Sequence, residues 1–461
     1  MRRLPITDAG WLMAEDRERP MHVGGLQLFR LPEDAPPSFV RDSVVAAARA
    51  HSEVRPPFER RLQRPYGRAG TFRWVHEDNV DLDYHFRHVA LPEPGRIREL
   101  LAFVSLMHST LLDRHRPLWE VYLIEGLADR RVALYAKVHH AMLDGVAAMR
   151  QLLQAYTTDP SQRDLPPPWA VRPETSRPAP AGDPGGPFAM LPRLVSGLVE
   201  EGTSLVGVAR AVGDQLVKAR LREAEVLPFQ APSTLLDARL TGARRYVAQS
   251  YAFERFEKVA AAFDATINDV VLTVCGAALR AYLLRQDALP RKPLIAAVPV
   301  SIAPADTDAG NELSMLLANL ATHVEDPGER LELVKASMDH GKARLRGMSR
   351  TELRDYGLLL MGPILLAQMT GLGGRHKPLY NLVISNVAGP REPLYWNGAR
   401  MDGLYPVSLL PDGDALNITQ TSYAGSMEFG ITAARDRLPQ IQRLIDDLED
   451  ALADLERLGG V

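Results

Sequence analysis

Between Thr157 and Pro187 the chain reads "TTDPSQRDLPPPWAVRPETSRPAPAGDPGGP". Neither a helix nor a strand ladder can run through so many prolines, because each lacks an amide donor and fixes φ. At 461 residues the chain is too long for one ordinary core, so this stretch divides it. The predicted organisation is an N-terminal domain over 1–156, a linker with bridging helices over 157–243, and a C-terminal domain over 244–461. The bridging helices are expected within 190–224, where Leu191, Leu194, Val195, Leu198 and Val199 recur at helical spacing.

Both halves have a mixed α/β texture, so the expected fold class is α/β with mixed sheets. In the first half "MHVGGLQLF" is strand-like and "SFVRDSVVAAARAH" helix-like. "LWEVYLIEG" and "RRVALYAKV", separated by the turn-forming "GLADR", form a predicted hairpin. In the second half "RRYVAQSYAF", "PLIAAVPVSI" and "YNLVISNVAGP" are strand candidates, while "NDVVLTVCGAALRAYLL" and "LPQIQRLIDDLEDALADLERL" are helix candidates. Hydrophobic residues at 46% and charged ones at 24% are those of a globular protein, and a net charge of -3 gives no general attraction to nucleic acid. The single cysteine, Cys275, lies in an apolar run, is expected buried and inert, and points to a reducing cytosol. No apolar stretch follows the two arginines at the N-terminus, so no secretory signal is expected. The uncharged run from Tyr356 to Gly374 approaches the length of a membrane span, but its glycines, Pro363, Gln368 and Thr370 favour a buried or substrate-lining helix.

The chemistry concentrates in "LYAKVHHAMLDGVAAM", Leu134 to Met149. Period-two alternation puts Val132, Leu134, Ala136 and Val138 on one face of a strand and Ala133, Tyr135 and Lys137 on the other, so His139 and His140 diverge. Val146, Met149, Leu153 and Tyr156 follow at helical spacing, which puts Asp144 at the helix start. A carboxylate suits that positive end, and Gly145 offers backbone freedom at a tight junction. A metal site wants converging ligands, and neither HExxH nor a cysteine pair supplies them, so no metal is expected. A nucleophilic hydrolase wants an activated Ser or Cys, yet no GxSxG is present. A direct general base needs only one well-placed neutral imidazole.

"HHAMLDG" resembles the HHxxxDG signature of the CoA-dependent acyltransferase superfamily. More narrowly, the chain resembles the bacterial wax ester synthase/acyl-CoA:diacylglycerol acyltransferase family. "PMHVGGLQLF", "RPLWEVYLIEGL", "KVHHAMLDG", "INDVVL", "VPVSI", "GNELS" and "VISNVAGPREPLYWNGA" follow in order over essentially the full length, the linker excepted. In many family members a basic residue follows "VPVS"; this chain has Ile302, Ala303 and Pro304 there. The resemblance implies two acyltransferase-like domains with the active site in a tunnel between them, His140 as the base, and His139, Asp144 and Gly145 in support.

Further site candidates are graded by their local context. "TIND", Thr266 to Asp269, matches a capping box, which makes Asp269 structural and leaves Asn268 as candidate oxyanion donor or substrate-orienting group. Trp119, Ser385, Asn386, Leu360 and Leu404 are candidate tunnel-lining residues. The expected partners are a long-chain acyl-CoA, which is a substrate, and a long-chain fatty alcohol or diacylglycerol. No cofactor is expected. The expected location is the cytoplasm, with peripheral attachment to membrane or lipid inclusions. Alternatives are an HxxxxD glycerol-phosphate acyltransferase using His139 and Asp144, a condensation-type enzyme with another acceptor or carrier-bound acyl group, and a non-catalytic lipid-surface binding protein.

Overall fold

The structure, a computed structural model, describes residues 2–4, 6–63, 72–171, 226, 228–301, 313–348, 352–353, 356–357, 360, 362, 364, 367–368, 371, 373–375 and 377–461. The strands of the first half are β1 (Arg2–Arg3), β2 (His22–Arg30), β3 (Arg60–Gln63), β4 (Arg73–His76), β5 (Phe86–Ala90), β6 (Trp119–Leu127) and β7 (Arg131–His139). Those of the second are β8 (Arg244–Ala252), β9 (Ile295–Ser301), β10 (Leu313–Asn319), β11 (Leu382–Val387), β12 (Tyr395–Trp396), β13 (Ala399–Val407), β14 (Leu416–Tyr423) and β15 (Ser426–Ala434). They form two six-stranded mixed sheets, ordered β12-β13-β2-β7-β6-β5 and β10-β9-β11-β14-β15-β8, and a small sheet β1-β4-β3.

The expected hairpin is β6 and β7, antiparallel from Trp119 opposite Val138 to Leu127 opposite Arg131. Asp129 and Arg130 turn the chain with φ of 59° and 54°, the left-handed values that tight hairpins require. Val132, Leu134 and Val138 enter one apolar core, with Phe29, Met149 and Leu152. Ala133 and Tyr135 enter another, under helix Ile97–His108. Both faces of the sheet are therefore covered. That burial forces a partner on Lys137, whose ammonium sits 3.2 Å from Glu120 and donates to the carbonyls of Met107 and Thr110.

The first sheet is not made of contiguous chain. β13 pairs with β2, Leu404 opposite Gln27 and Tyr405 opposite Leu26, so residues far beyond 244 complete the sheet that begins near residue 22. Without β13, β2 would present an open edge of unpaired amides. A division at 157–243 cannot show this, because strand pairing is set by contacts far apart in the chain.

The described part of the proline-rich segment, 157–171, carries no helix or named strand, yet it is anchored. Leu165 and Trp169 are buried in the first core, and Trp169 stacks on Trp119 with ring centroids 5.6 Å apart. The expected bridging helices over 190–224 and the Ile302–Pro304 segment lie outside the described residues.

In the second half helices pack on the sheet β10-β9-β11-β14-β15-β8. Thr266 and Asp269 close the expected capping box at the start of helix Ile267–Arg285. This helix is long and apolar enough to cross a membrane, but two thirds of its apolar window is buried in the core. A Cβ on Gly276 would lie 2.4 Å from the Leu320 carbonyl oxygen, so the close approach of that helix to the chain after β10 requires glycine. Cys275 is fully buried there, and burial pushes its thiol up to about 12. Of the uncharged run 356–374, Tyr356 and Leu360 are buried in the same core.

Candidate active site

The two histidines sit where β7 ends. His139 is its last residue, opposite His22 of β2, and the Met142 and Leu143 amides turn back onto the His139 carbonyl. Asp144 then caps helix Gly145–Leu153, accepting the Ala147 amide at 2.7 Å. The reason expected for Gly145 does not hold. Its φ is not left-handed, and a Cβ there would meet nothing within 4 Å. What its bareness leaves is open space beside a cavity that it helps to line.

His139 is fully buried, hydrogen-bonded through one ring nitrogen and faced by a carboxylate at the other. Nδ1 accepts the Ala141 amide at 3.0 Å, which puts the proton on Nε2. Nε2 faces the Glu15 carboxylate at 3.3 Å, too poorly aligned to be a hydrogen bond. Glu15 is itself buried, accepting from Arg114 at 3.0 and 2.8 Å and from the Met21 amide at 3.1 Å. Burial alone would raise this carboxyl, but His139, Arg114 and the Met21 amide outweigh it and hold it below the usual carboxylate range.

His140 is anchored through its backbone, whose amide donates to the Met21 carbonyl at 2.9 Å. Its ring lies against Trp11, centroids 4.4 Å apart. Burial pushes the imidazole down to about 4, with the Asp144 charge acting in the opposite direction. At neutral pH the ring is therefore uncharged and able to accept a proton. Trp11 and Glu15 are one helical turn apart, so a single short stretch backs both histidines. A second histidine layer lies below. His22 donates to the His108 carbonyl, and His108 donates to the Ser408 carbonyl and accepts from Tyr135. Burial keeps His108 down at about 3, so this layer also stays neutral.

Beside the motif runs an apolar cavity between the first sheet and helix Gly145–Leu153. Val23, Gly25, Trp119, Val138 and Leu152 line it, and Val387 and Thr419 reach it from the second sheet. Of the expected lining residues, Trp119 is on its wall, held by an indole N–H donated to the Phe58 carbonyl at 2.8 Å. Ser385 is half-buried and Asn386 exposed on β11, two residues and one residue before Val387. Leu404 is buried in the first core and Leu360 in the second, neither on the cavity wall. Asn268 is partly exposed in the first turn of helix Ile267–Arg285, also away from that wall.

Residues 4–271 match the wax ester synthase/diacylglycerol acyltransferase catalytic domain, and residues 309–456 match the C-terminal domain of the same family. The chain belongs to the wax ester synthase/diacylglycerol acyltransferase family. It is 44% identical over 453 residues to the O-acyltransferase WSD of Acinetobacter baylyi, covering 98% of this chain and 96% of that protein. It is 42% identical over 458 residues to a protein of Mycobacterium tuberculosis named probable diacylglycerol O-acyltransferase tgs2, covering 98% of each. The solved structure of the family enzyme from Marinobacter aquaeolei VT8 superposes with a TM-score of 0.80 at 42% identity, over 100% of both chains. A condensation domain of the CDA synthetase shares the fold, with a TM-score of 0.54 at 16% identity over 100% of this chain and 96% of that one.

Reading the sequence missed the groups behind the family's histidine motif. Trp11, Glu15 and Arg114 are remote from residues 139–140 in the chain, and Trp169 lies in what reads as linker. The only local signal is the pair Trp11 and Glu15 at helical spacing just before "MHVGG".

Proposed function

We propose that this chain transfers a long-chain acyl group from acyl-CoA to a long-chain fatty alcohol or a diacylglycerol, with His140 as general base. The observation that carries the reading is the His140 ring just past the end of β7, packed on Trp11 and held neutral by burial, next to the Asp144 that caps the following helix and an apolar cavity that Gly145 helps to line. Family membership supplies the reaction class.

The roles follow from the chemistry. An aliphatic hydroxyl is a poor nucleophile until its proton leaves during attack, and a neutral imidazole can take it. As the alcohol oxygen bonds to the thioester carbonyl carbon, His140 accepts the hydroxyl proton and the carbonyl becomes an oxyanion. The oxyanion collapses, the carbon–sulfur bond breaks, and His140 returns the proton to the departing CoA thiolate. No acyl-enzyme forms, and no cofactor is needed. Asp144 stabilises the imidazolium that exists between the two transfers, since its charge raises the basicity of His140. His139, fixed by Glu15 and the Ala141 amide, holds the strand end from which His140 projects. Asn268 remains a proposed orienting residue, on the family resemblance alone.

The substrates are lipids, so the protein is proposed to work in the cytoplasm against a membrane or lipid-inclusion surface. Finding it wholly in the supernatant with lipid droplets present would contradict that. The decisive experiment gives purified protein palmitoyl-CoA with hexadecanol or a diacylglycerol, following thiol release and lipid product. Wild type should form ester, and His140→Ala should lose about 10²–10⁴-fold in kcat. Full activity in the variant refutes the base assignment, and no ester with either acceptor refutes the substrate class.

A further inference from the structure

Gln27 is a polar side chain in an apolar place. Alternation along β2 puts Val23, Gly25, Gln27 and Phe29 on the cavity side of the sheet, where Val23 and Phe29 belong to the first core. The register partners of Gln27, Leu134 on β7 and Leu404 on β13, belong to the same core. Gln27 is fully buried, and neither its Nε2 nor its Oε1 has a hydrogen-bond partner. An amide in that condition destabilises a fold relative to an apolar residue of equal size.

Its position explains what it can do. A Cβ on Gly25 would come within 2.8 Å of Gln27 Nε2 and 3.4 Å of Leu152 Cδ2, so the amide occupies the space that the missing Gly25 side chain leaves. Gly25 and Leu152 both line the cavity. The Gln27 amide therefore lies directly behind Gly25, packed beneath a cavity wall that has no side chain at that point, with a free donor and a free acceptor.

We propose that the Gln27 amide binds a hydroxyl group borne partway along a substrate chain, which makes the cavity a site for hydroxylated long chains. A hydroxyl both donates and accepts, matching Oε1 and Nε2 together, whereas a plain methylene leaves both unpaired. The depth sets the position. Met21, whose carbonyl holds the His140 amide, lies four residues before Gly25, which is about 13 Å along an extended strand. With C–C bonds of ~1.5 Å, an extended chain covers that distance in about ten carbons. The proposal rests on the acyltransferase reading for which chain enters the cavity, but the binding itself can be measured without any reaction.

The test uses the full-length protein in two ways. Thermal shifts with octadecanoic and 10-hydroxyoctadecanoic acid report binding alone. Ester formation is then compared for plain and hydroxylated chains, with the hydroxyl placed on the acyl-CoA in one arm and on the alcohol in the other. Wild type should favour the hydroxylated chain by about tenfold in kcat/KM in one arm, identifying the chain that lies there, and Gln27→Met should bring that ratio near one. Wild-type ratios within twofold of unity in both arms, with equal thermal shifts, overturn the proposal. If no ester forms from any pair, the acyltransferase reading fails, and the thermal shifts still decide the role of the amide. Should Gln27→Met not fold, Gln27→Leu replaces it, and the wild-type comparison stands by itself.

Discussion

Replacing Glu15 by Gln removes one charge and keeps the shape, which isolates what the carboxylate does beneath the histidine motif. Three donors converge on it: two from Arg114 and the Met21 amide. A hydrogen bond to a charged group contributes about 1 kcal/mol more than a neutral one, so neutralising the acceptor forfeits roughly 3 kcal/mol. Arg114 keeps 28% of its side chain in water, which relieves part of the penalty of leaving it unpaired and brings the expected loss to about 2 kcal/mol. Urea unfolding at pH 7 should show that loss. Because the folded carboxyl lies below its ordinary value, its contribution is complete above about pH 4.3 and disappears as the pH falls through the folded pKa. The gap between wild type and variant should close on acidification. Without the carboxylate facing Nε2, His139 loses its orientation and His140 shifts with it, so kcat should fall about 10–100-fold with KM for acyl-CoA unchanged. A Glu15→Gln protein within about 0.5 kcal/mol of wild type at pH 7, with wild-type kcat, would refute the positioning role.

Further outcomes follow from the same geometry. With His140 neutral above about 4, kcat/KM should stay level between pH 5 and 7 instead of falling below the ordinary histidine value of about 6.5; a wild-type limb near 6.5 would show that the ring is more solvated than described. Asp144→Ala should cost about 1 kcal/mol through the lost cap, seen in thermal melting, and should move the acid limb to lower pH because the charge that raises His140 is gone. Gly145→Ala should leave the melting temperature unchanged or raise it, since the added methyl meets open space and alanine favours the helix by up to about 1 kcal/mol, while KM for the lipid substrate rises. Unchanged KM would mean that the cavity beside Gly145 is not used.

What was legible in the chain was local. The β6–β7 hairpin follows from period-two alternation and a turn, and the capping box at Thr266 and Asp269 from a four-residue pattern. Asp144 was readable as a helix start because a carboxylate there satisfies amides within three residues. The family motifs made His140 legible as a candidate base, but the burial that lowers its pKa and the Trp11 ring packed against it are not revealed by any spacing of residues. Gly145 was misread in its cause: a glycine at a junction suggests backbone strain, and only the space around it shows that none exists.

The sequence by itself determined the alternating strands, the helix ends, the break at the prolines and the identity of the motif, because hydrogen bonding and side-chain alternation act over a few residues. Tertiary structure alone decided that β13 lies beside β2, that Glu15 and Trp11 back the two histidines, and that Gln27 is buried without a partner. Each of those depends on which distant segments meet when two sheets bury their apolar faces, and that choice is made by the whole core at once.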